Sequence, residues 1–227
     1  MNERKSIHIY LAGDSTVQTY REDVAPQGGW GQFIDKYFLS EATFHNHAIG
    51  GRSSKTFITE GRLDAILEKM EPGDYLWIQM GHNDATKSRP ERYTEPFTDY
   101  KAYLKQYVSG ARGKQAHPLL ITPVARLHQA VDGSYINDFP TYCEAIKQVA
   151  DEEQVPLIDL MSESLAHFSQ VGEEEVHSYF MVSVNGTDHT HFTLKGADAI
   201  ANVLAHAIQA TNLELRHYVK KESLSNM

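Results

Sequence analysis

The chain has 227 residues, 41% apolar and 22% charged, which suits one globular unit, residues 1–227, around one core and excludes a disordered or fibrous chain. Its 30 acidic against 21 basic side chains give a formal charge of -9; that excess repels phosphate backbones and anionic membrane surfaces, so neither nucleic acid nor a membrane is an expected partner. The single cysteine, Cys143, excludes an intramolecular disulfide and a multi-cysteine zinc site.

The first fifteen residues pass from a charged segment straight into a short apolar run, without the apolar stretch and cleavage site of a signal peptide. No segment approaches the roughly 18 apolar residues of a membrane span, so a cytoplasmic location is expected. The first predicted strand, residues 7–12, ends in GDST (13–16), and a helix is predicted over 30–39. A second strand, 43–49, runs into NHAIGGRSS (46–54) and a helix over 61–70. The third strand, 75–80, ends in GHND (81–84), and a long polar connection, 87–98, leads to a helix over 97–111. Strands at 118–122 and 156–160 flank a helix over 142–153. A second long connection, 170–186, precedes DHTH (188–191) and a final helix over 194–210, and the polar tail after residue 213 is expected to fray. Such alternation predicts an α/β fold, with a five-stranded parallel sheet covered by helices on both faces, because each parallel pair needs a crossover.

Ligands of open parallel sheets gather where strands end, and the unusual segments fall there or just before the last helix. A serine hydroxyl needs a base to take its proton and a partner to orient that base. Ser15, His191 and Asp188 fit those roles: a carboxylate three residues before the histidine can hold Nδ1 and leave Nε2 for Ser15. The side-chain amide of Asn83 and the backbone N–H groups of Gly51 and Ser15 are candidate donors to a developing oxyanion. No metal or other cofactor is expected. His45 with His47, and His189 with His191, have a spacing that can face two rings one way, but no third ligand accompanies them. His47, His82 and His189 read as site walls or satisfied polar groups, Asp14 as a turn residue, Gly50 as a bend and Cys143 as a buried thiol. Trp30 and Arg52 are candidate sugar contacts, by stacking and by pairing with a carboxylate; core packing and a surface ion pair are the equal alternatives.

With Ser15, Gly51, Asn83 and His191 in order across residues 7–210, the chain resembles the SGNH hydrolases. IYLAGDSTV, GGWG, NHAIGGRSSKTFITEGR and DHTHFTLKGA resemble the rhamnogalacturonan acetylesterase branch most. The resemblance implies a flavodoxin-like three-layer α/β/α sandwich, a serine nucleophile without a metal, and acetyl esters on a galacturonate–rhamnose backbone as substrate. It departs from secreted members of that branch, which can carry disulfides and signal sequences, and so implies that this chain meets oligosaccharides rather than polymer. The same machinery would serve an acetylxylan esterase, a lipase or a thioesterase. From another class, the scaffold would serve a non-catalytic carbohydrate-binding protein. A GxSxG elbow is absent, which sets the chain apart from α/β-hydrolases. The acidic charge would repel an acidic sugar, so such a ligand must find local basic groups such as Arg52.

Overall fold

The computed structural model describes residues 5–221. In chain order its elements are β1 (Ile7–Gly13), β2 (Gln27–Gly28), β3 (Ala42–Asn46), α1 (Ser54–Thr59), α2 (Arg62–Leu67), β4 (Tyr75–Gln79), α3 (Lys101–Gly113) and β5 (His117–Ile121). There follow α4 (Pro140–Glu153), β6 (Leu157–Ile158), α5 (Leu160–Val171), α6 (Glu173–Tyr179), α7 (Val182–Asn185), β7 (Phe192–Thr193) and α8 (Leu194–Gln209). Five strands form one parallel sheet in the order β3-β1-β4-β5-β6. The strand β1 is buried at six of its seven positions, as expected for a strand covered on both faces. Helices α1 to α4 pack with one another on one face, and α5, α6 and α8 on the other.

Sheet order rather than strand length positions the site. Counted among sheet strands alone, the order is 2-1-3-4-5, and the connection direction reverses between β1 and β4. A crevice opens at such a reversal, outside the carboxyl ends of the two strands. A separate two-stranded antiparallel ribbon pairs β2 with β7, Gly28 opposite Phe192, and ties the segment before α8 back to this end of the sheet.

Several sequence expectations need correction. Residues 30–39 form two 3-10 turns, Trp30–Gln32 and Ile34–Tyr37, rather than a helix. Gly29 and Gly31 lie so close to the Val17 and Gln18 backbone that a Cβ would come within 2.4 Å of a carbonyl oxygen, so the chain follows that surface instead of coiling. Helix α1 was not expected; it starts at a capping box in which Ser53 and Thr56 satisfy each other's backbone N–H groups. The last sheet strand is only two residues long, because Asp159 accepts from the Ser162 N–H and starts α5. The expected connection 170–186 is largely helical, holding the end of α5 with α6 and α7.

The described part of the tail does not fray. Residues Glu214–Tyr218 form a 3-10 turn, with Leu215, Tyr218 and Val219 buried. The Leu39 N–H donates to the Tyr218 carbonyl and the Lys220 N–H to the Tyr37 carbonyl, so apolar burial and backbone pairing hold this segment. The expectation for 222–227 lies outside the described residues. Among the described residues no helix is long and apolar enough to cross a membrane.

Candidate active site

Ser15 follows β1 directly, on a turn fixed from beneath. The buried Asp14 accepts through Oδ1 from the Thr16 N–H at 2.9 Å and the Thr16 hydroxyl at 2.8 Å. The Thr16 hydroxyl oxygen in turn accepts from Gln79 Nε2 at 2.7 Å, and Gln79 Oε1 accepts from Trp30 Nε1 at 2.8 Å. One hydrogen-bonded line therefore runs from the indole through β4 to the serine turn. It also corrects the expectation for Trp30: the side chain is 1% exposed and is a core anchor, out of reach of a sugar. Asp14 is the turn residue the sequence suggested. Burial alone would raise its pKa, but the nearby His82 and the Thr16 hydrogen bonds hold it below the ordinary carboxylate value.

Asp188 and His191 occupy the segment between α7 and β7. Asp188 Oδ1 accepts from the N–H groups of Thr190 and His191, both at 3.0 Å, while Oδ2 lies 2.7 Å from His191 Nδ1. Burial would raise the Asp188 pKa, yet those N–H groups and the imidazole lower it. An ionised Asp188 assigns the Nδ1 proton to the imidazole, and Nε2, 3.0 Å from Ser15 Oγ, is then free to accept the serine proton.

The three candidate oxyanion donors come from different loops. Gly51 has φ +79°, a conformation that favours glycine, and no hydrogen bond among the described residues uses its N–H or that of Ser15. Asn83 Nδ2 donates one hydrogen to the Arg52 carbonyl at 2.9 Å, leaving the second of its two amide hydrogens for another acceptor. Beside it, the buried Asp84 accepts from the Ser54 N–H and the Ser54 and Thr94 hydroxyls. Burial pushes its pKa up to about 6 despite those bonds. Asp84 thus clamps the Asn83 loop to the start of α1.

Ser15, Gly51, Asn83, Asp188 and His191 all line one open cleft of about 600 Å³. Arg52 does not line it. Its guanidinium pairs with Glu60 at 3.0 Å and donates to the Gly50 carbonyl at 2.9 Å, so the ion-pair alternative holds and the sugar-contact expectation does not. Two residues that the sequence reading missed, Arg92 and Arg126, line the cleft instead. Arg92 belongs to the long polar connection expected to wall a site, which was the only signal; Arg126 follows β5 in no motif. His82 and His189 are cleft walls, as expected, whereas His47 lies against Tyr10, away from it. Cys143 is buried, and burial pushes its thiol up to about 11. Among the described residues no three His, Cys, Asp or Glu side chains gather as a metal-holding group.

This arrangement of a hydroxyl, an imidazole, a carboxylate and clustered N–H donors is suited to acyl transfer. Residues 9–204 match the family described as GDSL-like Lipase/Acylhydrolase. The chain is 60% identical to the "Probable rhamnogalacturonan acetylesterase YesY" of Bacillus subtilis, over 95% of this chain and 98% of that protein. It is 36% identical to "Rhamnogalacturonan acetylesterase RhgT" of the same organism, over 96% and 97%. Among solved structures it superposes on the YxiM protein of Bacillus subtilis with a TM-score of 0.80 and 31% identity, covering 94% of this chain and 57% of that one. The fold alone is shared with the acetylxylan esterase Axe2 of Geobacillus stearothermophilus, with a TM-score of 0.68, 15% identity and coverage of 97% and 100%.

Proposed function

The chain belongs to the GDSL-like lipase/acylhydrolase family, and from that premise we propose that it is a serine esterase removing acetyl groups from pectin-derived rhamnogalacturonan oligosaccharides. The observation that carries the reading is the continuous contact from Asp188 Oδ2 through His191 to Ser15 Oγ, 2.7 Å and then 3.0 Å. In the proposed reaction Ser15 Oγ attacks the acetyl carbonyl while His191 Nε2 takes the hydroxyl proton. The negative charge arising on the carbonyl oxygen is met by the N–H groups of Ser15 and Gly51 and the amide of Asn83. Collapse breaks the ester bond, and His191 returns the proton to the departing sugar oxygen. Water, deprotonated by His191, then attacks the acetyl-serine and releases acetate, restoring the Ser15 hydroxyl.

The acetyl and carbohydrate assignment draws on the two similar proteins named as rhamnogalacturonan acetylesterases and on the cleft lining. Among the described residues no Val, Leu, Ile, Met or Phe lines the cleft, so a long acyl chain would find no aliphatic side chain there to pack against. Turnover of p-nitrophenyl acetate by Ser15→Ala should fall at least about 100-fold; a rate equal to the parent's would end this mechanism. Acetate release from acetylated rhamnogalacturonan fragments should exceed that from acetylxylan, and a preference for long-chain esters would overturn the substrate assignment.

A further inference from the structure

An acidic protein acting on an acidic polysaccharide faces repulsion, and Arg52, the basic group the sequence offered to offset it, is committed to Glu60. Arg92 and Arg126 are not so committed. Both line the cleft that holds Ser15 and His191, and both carry a buried Nε that has no hydrogen-bond partner among the described residues. Among the described residues neither makes an ion pair within 4.0 Å. Arg92 reaches Thr86 Oγ1 only at 3.5 Å, and its Nη1 lies 3.8 Å from where a Cβ on Gly51 would stand. The Arg126 guanidinium rests on the Phe139 ring, 4.7 Å from its centroid, which fixes its plane and leaves its N–H edge to be filled.

We propose that Arg92 and Arg126 form a carboxylate-binding subsite beside the ester position, selecting acetyl esters on sugar chains that contain a uronate. The inference rests on the esterase reading above and names the feature of the sugar that the site recognises. A guanidinium presents a planar fork of donors that matches a carboxylate's two oxygens. An arginine held half-buried with no carboxylate in direct contact carries a desolvation cost that a ligand carboxylate would offset. Burial pulls the Arg126 pKa below its ordinary value, opposed by Asp138, Asp14 and Asp188. At least one oxygen of each carboxylate has another partner: His128 for Asp138 Oδ1, Thr16 for Asp14 Oδ1 and His191 for Asp188 Oδ2; Asp138 Oδ2 is buried without a hydrogen-bond partner among the described residues.

Position favours a chain over a single sugar. A second cavity, of about 580 Å³, adjoins the first and shares Arg126, His189 and Thr190 with it. Arg126 therefore stands at the boundary, where an oligosaccharide running from the ester site into the second cavity would pass its guanidinium.

The test compares the parent with Arg126→Gln, Arg92→Gln and Arg126→Lys on acetylated rhamnogalacturonan oligosaccharides and on p-nitrophenyl acetate. The ratio of kcat/KM for the acidic oligosaccharide to that for the neutral ester should fall about 10- to 100-fold in each Gln variant, mainly through KM. Arg126→Lys, which keeps charge but loses the fork, should fall between. Equal losses on both substrates would reduce the arginines to a structural or general electrostatic role and overturn the proposal. A parallel measurement does not depend on the natural substrate: digalacturonate should inhibit p-nitrophenyl acetate turnover at least about tenfold more tightly than galactobiose, and Arg126→Gln should abolish the difference. Discrimination lost in the variant supports the subsite even if the parent releases no acetate from rhamnogalacturonan, an outcome that would sink only the substrate assignment. Equal inhibition of the parent by the two disaccharides would sink the subsite.

Discussion

The turn that carries Ser15 and the loop that carries Asp188 and His191 meet at 3.0 Å, yet they are held in opposite ways. Beneath Ser15, Asp14 is fully buried, and the line Asp14–Thr16–Gln79–Trp30 ties the turn to the centre of the sheet. The side chains of Asp188 and His191 are 26% and 32% exposed. Their loop is held mainly by nearby groups: Asn185 Oδ1 accepts from the Thr187 and Asp188 N–H groups, and Met181 and Val182 donate to the His191 and Asp188 carbonyls, with one tie from farther off, the Leu127 N–H to the His189 carbonyl. Rigidity on the serine side is a property of the core, whereas on the histidine side it is a property of a few local hydrogen bonds. The proposed nucleophile should therefore stay put when the surface is altered, and the proposed base should be the side more readily displaced.

Substitutions on either side can break this contrast. Asp188→Asn removes the charge that orients His191 but little of the core; kcat on p-nitrophenyl acetate should fall about 1,000- to 10,000-fold with the melting temperature nearly unchanged. A large drop in melting temperature would show that the histidine loop is also a core element. On the serine side, Asp84 tests how the adjoining buried polar groups are stabilised. Its folded pKa of about 6 lies above the ordinary 3.8, so the folded chain keeps this proton over a window in which the unfolded chain has lost it. The contribution of Asp84 to stability is thus lost as pH rises from about 4 to about 6, and is flat outside that range. Relative to Asp84→Asn, the parent should lose on the order of 3 kcal/mol across that window, measured by urea unfolding at a series of pH values. A difference that grew with pH would refute the assignment. The smallest effect is expected for Trp30→Phe, which leaves Gln79 Oε1 buried without its donor. It should cost about 1–3 kcal/mol, with activity falling only as the Ser15 turn loosens; unchanged stability would mean that the indole does not anchor that turn.

The same contrast explains what could be read from the sequence. GDST, GHND and DHTH announce themselves because the proposed acyl transfer would restrict residue type at fixed places, and the short apolar run of β1 and the amphipathic α8 are readable from their patterning. Helices α1 and α5 were missed because their start signals are one or two side chains, the Ser53–Thr56 box and Asp159, within stretches that also read as loop or strand. Trp30 could be core or sugar platform until a partner was known, and the Gln79 side chain that decides it is 49 positions away. Arg92 had only its place in a long polar connection to mark it and Arg126 had no local pattern, since only the sheet brings the loops after β4 and β5 to one rim. Arg52 looked available because its partner Glu60 lies across α1, a helix the sequence reading did not contain.

The 176 positions separating Ser15 from His191 bear on how the protein is made. A ribosome delivers the hydroxyl well before the imidazole, with four of the five strands of the main sheet, β3 to β6, translated in between. Until α8 can seat and the short antiparallel ribbon can close, the nascent chain exposes an ordinary alcohol without a base. On the proposed mechanism, reactivity toward esters arrives only with the finished architecture.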